Sequence, residues 1–165
     1  MISLRAEVRV VGPKPGDEMT LPIEALFQTP KHENQRETIL QANQLLAQII
    51  IPTDNPTTNA TYEVRQGAGP EYPLVSAAAN LDIAGGVVQD ASIVLGHVAP
   101  VPWNSVEAAD RLIGRRVDHM TAELAGRAAV AQATPLSDNR YKVQLAQVAV
   151  KRAVLQAAGI ETGGF

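Results

Sequence analysis

The sequence predicts an α+β protein: an antiparallel β-sheet built on a central hairpin and packed against a C-terminal three-helix bundle. Three observations carry this expectation. Val75, Ala77, Ala79, Leu81 and Ile83 alternate with Ser76, Asn80 and Asp82, the period of a half-buried strand. Ala84-Gly85-Gly86 follows, where glycine supplies the positive φ of a tight reversal, and a second apolar arm spans residues 87–98 with Ala91, Ile93 and Leu95 in register. Past Trp103 the apolar period lengthens from two to about 3.6, so strands give way to helices.

The elements follow in order. Residues 6–11 set Val8, Val10 and Val11 against Glu7 and Arg9 and read as a strand, stopped by Gly12-Pro13-Lys14-Pro15-Gly16. Thr20 and Pro22 introduce residues 23–27, a short helical turn or irregular apolar anchor; residues 29–36 are polar and read as loop. Residues 45–51 end in β-branched side chains and stop at Pro52, the pattern of a strand buried on both faces. Residues 53–59, with Pro56 and two asparagines, read as a linker, which divides the chain into residues 1–58 and 59–165. Residues 62–66 make a further strand, Gly67-Ala68-Gly69-Pro70 turns into the hairpin, and Pro100 and Pro102 end it because proline has no N–H for the ladder. Trp103 is expected to cap the sheet edge.

The first helix is expected over residues 105–113, with Asn104 as N-cap, Glu107 completing a capping box, and Val106, Ala109 and Ile113 as its apolar face. Gly114 ends it. The second, over residues 118–133, aligns Met120, Leu124, Ala128 and Ala131 and closes before Pro135. The third, over residues 139–158, aligns Val143, Ala146, Val150, Val154 and Ala157 and ends at Gly159. Residues 163–165 are expected to fray.

Composition narrows the function classes. With 165 residues, 45% hydrophobic and 19% charged, the chain suits one compact unit with two subregions. The net charge of −3, and basic pairs Arg115-Arg116 and Lys151-Arg152 outside any longer basic run, point to no nucleic-acid partner. The absence of cysteine excludes disulfides, thiolate catalysis, Cys-type zinc sites and iron–sulfur ligation by this chain. No apolar run approaches the roughly 20 residues that span a bilayer, and residues 1–5 lack a signal-peptide pattern. The expectation is a soluble, cytoplasmic protein with no membrane partner, in which the sequon Asn59-Ala60-Thr61 carries no glycan.

Chemistry-bearing residues are sparse. His32, His97 and His119, expected in a loop, a strand and a first helical turn, share no metal-ligand spacing and read as structural. There is no Gly-x-Ser-x-Gly elbow for a hydrolase. Asp17, Glu18, Asp110 and Asp118 read as solvated or capping carboxylates, since nothing marks an apolar setting. Gly67-Ala68-Gly69-Pro70 joins two strands and its proline removes an amide donor, so it reads as a plain connection, not a phosphate loop. Arg65 beside it is suited to a phosphate, to a carboxylate, or to solvent at a sheet edge.

Several stretches together resemble the flavoprotein subunit of the molybdenum hydroxylases, the xanthine dehydrogenase, carbon-monoxide dehydrogenase and aldehyde oxidoreductase group. They are Glu7-Val8-Arg9-Val10-Val11-Gly12-Pro13, Leu45-Leu46-Ala47-Gln48-Ile49-Ile50-Ile51-Pro52, Tyr62-Glu63-Val64-Arg65-Gln66 and Tyr72-Pro73-Leu74-Val75-Ser76-Ala77-Ala78. Leu95-Gly96-His97-Val98-Ala99-Pro100-Val101-Pro102-Trp103 and Pro135-Leu136-Ser137-Asp138-Asn139-Arg140-Tyr141-Lys142 complete the series. The resemblance implies that residues 1–58 are a partial second lobe of a flavin-binding domain, and residues 59–165 a C-terminal domain of antiparallel sheet plus three helices. It implies FAD as cofactor, weakly bound or unbound by this chain because the family's glycine-rich pyrophosphate loops are not in this sequence.

The contacts that carry over are Leu45 and Leu46, expected near the isoalloxazine, and Arg65, where relatives place a basic residue close to the flavin; no catalytic or metal-binding residue carries over. Glu71, Gly67-Ala68-Gly69 and Asn104 depart from the family pattern. The implied partners are molybdopterin and iron–sulfur subunits, in an oxidoreductase for which this chain alone is not expected to be competent. The alternative is a non-catalytic assembly module without FAD, homo-oligomeric through a patch of Leu4, Val8, Leu45 and Ile49.

Overall fold

The structure is a computed structural model and describes residues 1–53, 57–67, 69–163. The chain opens with a 3-10 turn, Ile2–Leu4, followed by strands β1 (Glu7–Val11) and β2 (Glu18–Pro22), a second 3-10 turn (Ile23–Leu26) and strand β3 (Leu45–Ile50). Then come β4 (Thr58–Val64), β5 (Val75–Ala84), β6 (Val87–Gly96), the short β7 (Trp103–Asn104), and helices α1 (Val106–Asp110), α2 (His119–Ala129) and α3 (Tyr141–Ala157). The strands form two antiparallel sheets, one ordered β2-β1-β3 and the other β4-β5-β6-β7.

The expected hairpin is the centre of the second sheet. Val75, Ala77, Ala79 and Leu81 of β5 are fully covered by helices, and Ile93 and Leu95 of β6 join them. α3 lies across β5 and β4, α2 packs on α3, and α1 bridges α2 and β6. Alanines at residues 77 and 79 let α3 come close, and Ala146, Ala149, Val150, Ala153 and Val154 of α3 fill the space. The turn Ile2–Leu4 lies against β5 and β6. The outer side of β6, with Ser92 and Val94, is buried as well.

Some local expectations change. β3 is not buried on both faces: it is an edge strand, and Leu45 is 66% and Ile49 45% exposed. Runs of Leu and Ile read as central strands, yet here no described element covers the side carrying Leu45. The hairpin formed by β1 and β2 was not expected; Gly12 N–H donates to the Asp17 carbonyl at 2.6 Å across its loop, and Gly16 takes φ +82°. Thr58 and Asn59 belong to β4, paired with Leu81 and Asn80, not to a linker. Linker residues 54–56, Ala68 of the glycine turn and tail residues 164–165 lie outside the described residues.

The helices keep their order and change their faces. Ser105, not Asn104, caps α1: its Oγ accepts from Ala108 N–H at 3.3 Å, while Asn104 ends β7. α1 buries Ala108 and Ala109, with Leu112 just beyond it, and leaves Val106 and Ile113 outside. α2 stops at Ala129 and buries Ala122, Ala125 and Gly126, leaving Met120 73% exposed. A Cβ on Gly126 would stand 2.4 Å from the Gln147 carbonyl oxygen of α3, so small size selects the buried face here and hydrophobicity does not. His97 lies just past β6 with φ +64°, a left-handed conformation that ends the strand.

Candidate functional site

The residues singled out by sequence sit on two sheets. A bulge between Arg9 and Val10 shifts the register of β3, so that Leu45 pairs with Val11 and Leu46 with Val10. Leu46 turns inward and packs on the small cluster of Ala6, Val8, Val10, Ile23 and Leu26. Leu45, next in sequence, points to the opposite side and to solvent. Val8, expected in an exposed patch, is fully buried in the same cluster, and Leu4 is half-buried.

Arg65 follows the last residue of β4. Its Nε and an Nη both donate to Glu63 Oε2, at 2.8 and 2.5 Å, and its other Nη reaches the Gly69 carbonyl at 3.4 Å. Both side chains stay well exposed, 42% for Arg65 and 37% for Glu63, so the pair is screened by water and orients the guanidinium without adding much stability. Of the uses open to Arg65 by sequence, two are present together: a carboxylate partner, and solvent at the end of an edge strand. No hydrogen bond among the described residues joins it to β3.

These residues fit one part of a flavin site. An exposed Leu45, paired with Val11 of β1, offers a small apolar surface to a flat ring system. Among the described residues nothing stands in for the pyrophosphate half: the glycines at residues 85 and 86 make a hairpin turn, and Arg65 is already engaged. FAD therefore does not fit these residues alone.

The halves of the molecule meet through polar contacts. Arg5, at φ +52°, pairs with Asp90 of β6 at 2.5 Å, and Asn104 Nδ2 donates to the Glu24 carboxylate at 3.1 Å. The hydrogen bond from Arg5 holds the Asp90 carboxyl below the usual carboxylate range, and Asp90 in turn raises Arg5. A cleft of about 460 Å³ lies along this joint, lined by Ile2, Arg5, Ile23, Asn104, Val106 and Ile113. Another, of about 510 Å³, opens between the β6–β7 connection and the α2–α3 connection. Sequence reasoning had not assigned either; Trp103 and Lys142 on the second belong to stretches noted only for their family resemblance. Among the described residues no cluster of His, Asp or Glu could hold a metal ion, and no helix is long and apolar enough to cross a membrane.

A hairpin-centred antiparallel sheet carrying three helices, set beside a smaller sheet, is the architecture of the C-terminal part of a molybdenum hydroxylase flavoprotein. The chain belongs to the family of the CO dehydrogenase flavoprotein C-terminal domain, whose profile matches residues 60–157. Quinoline 2-oxidoreductase from Pseudomonas putida 86 is 26% identical and superimposes with a TM-score of 0.81 over 96% of this chain and 54% of its own. Carbon monoxide dehydrogenase from Hydrogenophaga pseudoflava, in a form lacking the Mo-pyranopterin moiety, is 27% identical with a TM-score of 0.80 over 96% and 54%. Reconstituted CO dehydrogenase from Oligotropha carboxidovorans is 28% identical with a TM-score of 0.80 over 98% and 55%. The chain thus spans about half the length of the chains it resembles. No curated protein sequence matches it.

Proposed function

We propose that this chain is a partial flavoprotein electron-transfer subunit of a molybdenum hydroxylase, the part that supports FAD and subunit assembly. Residues 1–58 are then part of the second flavin lobe, and residues 59–165 the C-terminal domain. The observation that supports this best is the family match over residues 60–157, joined to a superposition covering almost the whole chain. When bound, FAD supplies the electron transfer, between iron–sulfur centres on a partner and an acceptor. Leu45 would shield one side of the ring from water, Leu46 anchors β3 to its core, and Arg65, oriented by Glu63, would be the basic group on the flavin side. Partners carrying iron–sulfur centres and molybdopterin complete the enzyme.

A titration of the purified chain with FAD, read by flavin fluorescence quenching, tests this. Without the pyrophosphate loops the chain is expected to form no tight one-to-one complex; a yellow complex that survives gel filtration overturns the division of labour. Purified from its native source, the chain is expected to bring along an iron–sulfur subunit. A colourless homo-oligomer without partners sinks the proposal in favour of a second reading, a non-catalytic assembly module. What favours that reading is the open edge strand, with Leu45, Ile49, Ile50 and Ile51 exposed by 66, 45, 38 and 43%.

A further inference from the structure

The cleft of about 460 Å³ along the joint of the two halves carries unbalanced negative charge. Glu7 of β1 and Glu24 of the second 3-10 turn line it from one half, and Asp110, the last residue of α1, lines it from the other. All three are exposed, and none forms an ion pair among the described residues. Glu24 accepts only from the neutral side-chain amide of Asn104, and the single basic residue on the lining, Arg5, is matched by Asp90. The rest of the lining is largely aliphatic, with Val106 exposed by 61% and Ile113 by 42%, and no aromatic ring belongs to it.

One polar group opens further in. β7 pairs with Val94 and Leu95 only, so no described strand runs beside Ala91 and Ser92 at that edge of β6, and both residues line the cleft. Ser92 is 9% exposed; its hydroxyl makes no hydrogen bond among the described residues and, unlike Asn80 Oδ1, is not sealed from solvent. A hydroxyl buried this far without a protein partner is an acceptor for a group that enters the cleft.

Carboxylates on both sides, aliphatic walls and an inner hydroxyl are complementary to a methylene chain interrupted by ammonium groups. We propose that the cleft binds a linear aliphatic polyamine, which bridges the two halves of the molecule. One terminal ammonium sits on Glu24, the other on Asp110, an inner ammonium donates to Ser92 Oγ, and the methylenes lie against Val106 and Ile113. The volume falls in the range of small-molecule sites. The site uses neither Leu45, Leu46 nor Arg65, so it stands apart from the flavin reading.

The full chain is titrated with spermidine at constant ionic strength, read by the NMR signals of the Ala91 and Ser92 amides and of the Asn104 side-chain amide. The comparison ligands are n-butylamine, which has one charge, 1,8-octanediol, which has none, and Mg²⁺, which has charge without methylenes. Spermidine is expected to saturate as one site, with each comparison ligand about tenfold weaker or more. Asp110→Asn and Glu24→Gln keep shape and remove charge; each should weaken spermidine about threefold, and the two together about tenfold, the size that exposed ion pairs allow. Glu161→Gln, exposed and off the cleft, should leave binding unchanged. Circular dichroism confirms that each variant is folded. No saturable shift up to about 10 mM spermidine, a response to Mg²⁺ or n-butylamine as strong as to spermidine, or a folded double variant that keeps the affinity overturns the proposal.

Discussion

At Gly126 the missing side chain decides how closely α2 and α3 approach. A Cβ there would meet the Gln147 carbonyl oxygen at 2.4 Å, and backbone cannot swing aside as a flexible side chain can. Alanine favours an exposed helix over glycine by about 1 kcal/mol, whereas overpacking a tight contact costs about 1–3 kcal/mol. Gly126→Ala is therefore expected to lower stability by about 1 kcal/mol or more in a urea melt; a gain would mean that the helices stand further apart. The candidate site is a residue-scale lesson of the same kind. Leu45 and Leu46 were legible as an apolar pair, but which one faces solvent is set by the bulge opposite Arg9 and Val10, and a bulge is a pairing property that one strand's sequence does not carry. The pairing of Arg65 with Glu63 two residues earlier was legible in principle, because alternate residues of a strand share a side.

Helix ends and faces are decided one scale up. Ser105 is 1% exposed and caps α1, while Asn104 spends its side chain on Glu24. Ser105→Ala should cost about 1 kcal/mol, the usual worth of an N-cap, and Asn104→Ala clearly less; equal losses in thermal melts would restore Asn104 as the cap. At Asp118 the cap was legible, and its carboxyl is held below its usual range by the hydrogen bonds of Thr121, backbone N–H first. Glu123 on α2 bridges Lys151 on α3 at 3.0 Å and Arg127 at 2.6 Å, and those bonds, Lys151 first, lower its carboxyl too. A carboxyl lowered by folding contributes above its unfolded value, and the contribution disappears as pH falls through the folded one. Glu123→Gln should thus flatten the acid limb of the stability profile below the usual carboxylate range, and high salt should shrink the difference. Periodicity found all three helices and misjudged two of their faces, because it weighs apolar character, and an alanine-rich interface is chosen by size.

Across the whole molecule, order and hairpin were legible because local period and turn chemistry dictate them, whereas the coverage of each sheet depends on residues distant in sequence. The larger core gathers buried residues from β5, β6 and all three helices; the smaller, among the described residues, buries Ala6, Val8, Val10, Ile23 and Leu26. Fewer buried apolar groups mean a lower free energy of local opening, so amides of β1 and β3 are expected to exchange with deuterium well before those of β5, β6 and α3. The joint between the two halves adds a pH dependence. Asp90 is lowered by Arg5, so this exposed ion pair adds a small stabilisation of the joint above the usual carboxylate range, and that share is lost as pH falls through the lowered value. Once intrinsic exchange rates are corrected for, protection of β1 should fall slightly relative to β5 on acidification, and Arg5→Met should show the same small loss already at neutral pH. Equal protection of β1 and β5 at every pH would mean that the smaller sheet opens only when the whole chain unfolds.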